Sequence, residues 1–103
     1  MLQSDLKIIL ESTGLPVVYN SWKEPPKLPY IVFIQSGSSN ILADNKVFFK
    51  VKNYDIELYS KSKDLESEKK LESALDENDI YYESSGDIEI KEKFIEVIYS
   101  IEV

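Results

Sequence analysis

KVFFKVKNYDIELYS, Lys46–Ser60, decides how the rest of the chain is read. It is rich in β-branched and aromatic residues and holds neither Gly nor Pro, so it predicts one long strand. Its alternation changes phase partway along. Val47, Phe49 and Val51 place apolar groups at odd positions, opposite Lys46, Lys50 and Lys52. Beyond Asn53 the even positions are apolar (Tyr54, Ile56, Leu58) and the odd ones carry Asp55 and Glu57. Side chains on a regular strand alternate with a period of two. The change therefore requires one of two things. Either a bulge near Lys52-Asn53 resets the phase, or the first half buries its apolar face against something other than the main core.

Upstream, Tyr30–Gln35 (YIVFIQ) is apolar on both faces and predicts a central strand covered at least in part on both sides. Between the two strands, Ser36–Asn45 (SGSSNILADN) reads as a polar loop that carries Ile41 and Leu42, with the long strand returning antiparallel. Before them, Asn20–Pro29 (NSWKEPPKLP) is a connector. Pro25 and Pro26 favour an extended path and bar a central ladder position, and Trp22 beside them reads as a surface anchor. Val17–Tyr19 is a short strand. Leu2, Leu6, Ile9 and Leu10 recur at helical spacing and predict a helix near 3–13, ended by a left-handed Gly14 and blocked by Pro16.

Downstream, Ser62 or Asp64 caps a second helix near 63–77. Leu71, Ala74 and Leu75 share one face, Leu65 lies toward its edge, and Asn78-Asp79 ends it. Ile80–Tyr82 opens a strand that resumes at Ile88–Ile90 after Ser84-Ser85-Gly86, and Lys91-Glu92-Lys93 is a turn. Ile95, Val97, Tyr99, Ile101 and Val103 alternate with polar residues as in a half-buried strand. The order α-β-β-β-α-β-β predicts a single α+β domain over residues 1–103. Its two helices pack on one face of a mostly antiparallel sheet of about five strands.

Composition narrows the function classes. A 103-residue chain that is 43% hydrophobic suits one globular core. No apolar run approaches the ~20 residues that span a bilayer. Asp5 and Lys7 interrupt the only N-terminal apolar stripe, which does not match a secretory signal. The expectation is a soluble chain made in the cytoplasm, without a membrane partner. Cys and His are absent, which removes disulfides, thiolate chemistry, Cys-type zinc sites and the commonest general base. All 12 basic residues are lysines and the net charge is -7. Arginine is the preferred bidentate reader of phosphate and guanine, and a negative chain repels polyanions, so no specific nucleic-acid binding is expected.

The remaining candidates for chemistry have plainer readings. The serines at 36, 38 and 39 lack a histidine base. Ser60, Lys61, Ser62 and Lys63 lie in a solvated segment where nothing depresses a lysine pKa. Asp76, Glu77 and Asp79, like Glu83, Asp87, Glu89 and Glu92, lack calcium-loop spacing and read as helix-end and edge-strand charges. Gly14, Gly37 and Gly86 are too far apart for a phosphate loop or a dinucleotide fingerprint. No catalytic, cofactor-binding or metal-ligating residue is expected, and the chain does not read as an enzyme.

Four stretches together carry a resemblance: TGLPVVYNSWKEPPKLPYIVF (13–33), ADNKVFFK (43–50), YDIELYSKSKD (54–64) before a Glu/Lys helix, and FIEVIYSIEV (94–103). The chain resembles small proteins from the head-to-tail and tail modules of siphophages and prophages of Gram-positive bacteria, of the tail-terminator (tail completion, head-tail joining) class. The resemblance spans nearly the whole chain and rests on packing and turn features. It implies a non-catalytic structural protein that forms a closed ring, caps the tail tube and meets the head connector. It also implies residence in the virion, and in the host cytoplasm during assembly, with other phage structural proteins as partners. Ring closure is heterologous and needs two different patches per subunit. The expected assembly surface is the hairpin carrying Ile41, Leu42, Val47, Phe49 and Val51, with Trp22 as a further contact. The alternative is a small adaptor or regulatory module that binds one host or phage protein through the same surface.

The net charge of -7 and the absence of arginine have one directly measurable consequence. Labelled duplex DNA mixed with micromolar protein at physiological salt gives no change in fluorescence anisotropy. A clear salt-dependent rise overturns the argument.

Overall fold

A strand that alternates in sequence buries one side, and β3 (Lys46–Ser60) does so without interruption where it meets the core. Tyr54, Ile56, Leu58 and Ser60 are buried, while the odd residues from Val51 to Tyr59 are half-buried. The computed structural model describes residues 1–43, 46–90 and 94–103, with the backbone alone over 40–43 and 46–49. The element order is α1 (Gln3–Glu11), β1 (Val17–Tyr19), β2 (Tyr30–Ala43), β3, α2 (Leu65–Glu77), β4 (Tyr82–Ile90) and β5 (Phe94–Glu102). One five-stranded sheet has the order β1-β2-β3-β5-β4. β1 runs parallel to β2, and every other neighbouring pair is antiparallel. The α+β class and the order of elements match the sequence expectation. The turn expected at Lys91-Glu92-Lys93 lies outside the described residues.

Both helices cover the same face. Leu6 and Leu10 of α1 and Leu71 and Leu75 of α2 join one core with Ile31 and Phe33 of β2, the buried residues of β3, and Val97, Tyr99 and Ile101 of β5. Helical spacing places the two α1 leucines four apart on one stripe, and Ile9 packs at its edge. Leu2, expected on the first helix's stripe, is its N-cap and 65% exposed, and Leu65, expected toward the edge of the second helix's face, is 69% exposed at the first residue of α2. Asp64 caps α2 by accepting from the Ser67 N–H at 3.0 Å. Hydrogen bonding to Ser67 holds the Asp64 carboxyl below the usual carboxylate range.

The pairing departs from the sequence expectations at three places. Ser36–Ala43 is not a loop: β2 continues through SGSSNILA and pairs with β3 nearly to its start. The backbone N–H and C=O groups of a long β3 need partners, and this stretch supplies them despite its poor strand propensity. Of the two alternatives for the phase change, a bulge in β3 at Lys52-Asn53 is excluded: the bulge lies across the ladder, on β2. Gln35 pairs with Tyr54 and Gly37 with Asn53, so Ser36 is the extra residue. A second shift, between Ile41 and Leu42, leaves Phe48 outside the register. β4 also runs unbroken from Tyr82 to Ile90, with an irregularity at Ser84–Asp87 in place of the expected break.

A partly buried polar linkage ties α2 to the sheet. Glu72 accepts from the Tyr99 hydroxyl at 2.7 Å and from the Tyr82 hydroxyl at 3.3 Å. The two rings meet edge to face with centroids 5.5 Å apart. Tyr99 is fully buried, and burial followed by the Glu72 bond pushes its hydroxyl pKa far up, so the proton stays on the phenol and donates. Tyr99→Phe is expected to lower the unfolding free energy by about 1.5–3 kcal/mol, as for a hydrogen bond to a charged group. Tyr82→Phe costs less, since its bond is longer. Urea melts of the two variants check the order.

Candidate assembly surface

The β2–β3 ladder is longer than the sheet that supports it. β5 leaves β3 at Lys52, where Val103 N–H donates to Lys52 O at 2.9 Å and Lys52 N–H donates back to Val103 O at 3.2 Å. β1 ends at the Tyr19–Phe33 pair. Asn20 takes a left-handed φ of 72°, and the Tyr19 hydroxyl accepts from the next free β2 amide, Gln35 N–H, at 3.2 Å. Beyond these points Ser39–Ala43 and Lys46–Val51 are paired only with each other. The result is a two-stranded ribbon that protrudes from the body. The molecule measures 50 × 26 × 25 Å, and its radius of gyration of 14.6 Å exceeds the ~13 Å of a compact 100-residue domain. A two-stranded ribbon alone is marginally stable in water, so one this long gains from a covering partner.

The second feature is the sheet face turned away from the helices. Register places Val18, Tyr30, Val32 and Ile34 there from the first two strands, and Val51, Asp55, Glu57 and Tyr59 from β3. β5 adds Glu96, Ile98, Ser100 and Glu102, and β4 adds Glu83. An aromatic row crosses one end: Trp22 meets Tyr30 at 6.0 Å and 75°, and Tyr30 meets Tyr59 at 5.3 Å. The rest is acidic. β4 and β5 contain no lysine, and the lysines of β3 all lie in its ribbon half. At the base of the ribbon a hollow of about 430 Å³ is lined by Asn53, Asp55, Tyr81, Glu83, Ser100 and Glu102. Among the described residues no group of three acidic, His or Cys side chains could hold a metal ion, and no helix is long and apolar enough to cross a membrane.

The charge on this face is crowded. Glu57 Oε1 accepts from the Tyr59 hydroxyl at 2.8 Å. Burial raises the Glu57 carboxyl above its ordinary range, and repulsion from Glu96 and Asp55 adds to the rise, while the Tyr59 bond opposes it.

The structure gathers some of the expected site residues and separates others. Ile41 stands opposite Phe49 and Leu42 opposite Val47 in the ribbon register; their side chains lie outside the described residues. Val51 is half-buried at the ribbon base, opposite Ser39, on the side away from Ile56 and Leu58. Trp22 is elsewhere. It packs at the Tyr30–Tyr59 end, eight residues along β3 from Val51, about 27 Å at the usual strand rise. Sequence reasoning did not single out the carboxylates Asp55, Glu57, Glu83, Glu96 and Glu102 as a group. Their outward alternation was the available signal, but only the strand order brings β4 beside β5 and β5 beside β3.

Glu57 yields a pH prediction. Its folded pKa lies above its unfolded value, so protonation favours the fold. That contribution is complete below the ordinary glutamate range and is lost as pH rises through the raised value. Glu57→Gln is therefore expected to stabilise the domain at neutral pH. The gap from wild type closes on acidification below the ordinary glutamate range. Thermal melts across that range check both the sign and the closure.

Compared with known proteins, the chain matches no family model and no curated protein.

Proposed function

We propose that the chain is a structural assembly protein, a ring-forming component of a phage or prophage tail or head-tail connection that acts as a tail terminator or completion protein. One observation carries the assembly reading: a single subunit presents two unlike surfaces that neither helix covers, the protruding β2–β3 ribbon and the far sheet face. Closed rings are built from head-to-tail contacts between two different patches, and this subunit offers both. The phage assignment draws on the resemblance of the four sequence stretches. The partners on this reading are the tail tube and the head connector, and the chain performs no chemistry.

Negative-stain microscopy and sedimentation velocity on the purified chain test the reading, with ring-shaped particles of uniform size as the expected result. A monomer at every concentration overturns it. Val51→Asp separates assembly from folding, because Val51 points away from the buried β3 residues. The variant is expected to melt cooperatively near the wild-type temperature and to lose its oligomers. Burial of one valine is worth roughly 1.5–3 kcal/mol, so loss of a larger share of stability assigns Val51 to the interior and rejects this surface.

A further inference from the structure

The ribbon and the open face differ in charge as well as in shape. Lys50 and Lys52 are exposed and continue the even side of β3, the side that holds Tyr54, Ile56 and Leu58 farther along. Past the end of the core this side carries lysine in place of apolar residues. Lys52 pairs across the ladder with Ser38 and Lys50 with Asn40, so no acidic residue opposes either one. Among the described residues neither makes an ion pair. The opposite side of the same sheet holds the hollow bordered by Asp55, Glu83 and Glu102, and β4 and β5, which supply Glu83 and Glu102, contain no lysine. Lys63, which is close to β4, is already bonded to Asp87 at 2.8 Å and Glu68 at 3.0 Å.

We propose that the open sheet face is a docking site for a second copy of this chain, whose ribbon lays Lys50 and Lys52 into the hollow lined by Asp55, Glu83 and Glu102. This rests on the assembly reading and specifies its contact. The occupant follows from charge complementarity: the ribbon is a lysine-bearing projection, and the hollow is concave and acidic. Within one chain the two surfaces cannot meet, because they lie on opposite sides of one sheet. Between two copies the contact joins the helix side of one to the bare side of the next. Such a contact is heterologous and leaves a free ribbon and a free face at the ends, so it propagates until a ring closes. An ammonium on a flexible stem suits a site lined by several carboxylates without fixed bidentate geometry. The contact also relieves the crowding of like charge on the open face.

Paired charge reversals test the proposal on the full chain. Lys50→Glu/Lys52→Glu and Glu83→Lys/Glu102→Lys alter only exposed side chains, so both variants should keep the wild-type melt. Each alone is expected to weaken self-association at least tenfold in sedimentation equilibrium, since both surfaces then carry like charge. An equimolar mixture is expected to recover assembly, because the glutamate ribbon of one meets the lysine face of the other and the unchanged surfaces still match. Added salt should weaken the wild-type assembly, as screening shortens the reach of exposed charges. If a reversal variant fails to fold, the neutral pair Lys50→Gln/Lys52→Gln replaces it, with the same direction of loss. Wild-type assembly that neither reversal weakens overturns this contact and leaves the assembly role standing. Loss in both variants without recovery on mixing also overturns the pairing of these two surfaces. A wild-type monomer at all concentrations overturns the contact and the assembly role together.

Discussion

The ladder between β2 and β3 is the constraint on which the rest of the structure depends. β3 commits its even residues to the core from Tyr54 to Ser60 and keeps that phase along its length there. β2 must match it twice, first by delivering Ile31 and Phe33 to the same core and then by staying paired beyond Asn53. A one-residue slip in register would turn every side chain of β2 to the wrong side. The extra residue at Ser36 reconciles the two demands, and small neighbours make it cheap. Gly37 adds no side chain beside Asn53, whose amide reaches over to Ser39 at 3.1 Å. β1 then docks against Phe33, and β5 takes the other edge of β3 as far as Lys52.

That ladder also creates the asymmetry of the molecule. Because both helices pack on one side, the core is complete without the other face. The carboxylates on that face are tolerated because none is fully buried. The cost shows as the raised Glu57 carboxyl and the crowding with Glu96 and Asp55. A domain selected for stability alone would gain from fewer like charges there. Retaining them is understandable if something cationic covers the face, and among the described residues Lys50 and Lys52 on the ribbon make no ion pair. Fold and association would then divide the strands between them. The near half of β3 serves the core, and the far half serves a neighbour.

The sequence by itself determined the class and order of elements. Helical spacing of Leu6, Ile9 and Leu10, the cap at Asp64, the stripe of Leu71, Ala74 and Leu75, and the alternation from Ile95 to Val103 are local signals, and each survived folding intact. The phase change in Lys46–Ser60 was also legible, but it left open whether Val51 joins the core or faces away from it, and the structure turns Val51 away. What lay beyond local reading was everything set by pairing. Ser36–Ala43 looks like a loop because Ser, Gly and Asn are poor strand formers, yet a long partner strand recruits it through backbone hydrogen bonds that side-chain patterns do not report. The bulge fell on the strand without the phase change, since a register mismatch can be absorbed by either partner. Trp22 and the ribbon looked like parts of one surface in sequence, and strand length put them at opposite ends. The acidic hollow exists only because β4, β5 and β3 lie side by side, which strand order decides and no single stretch of the chain encodes.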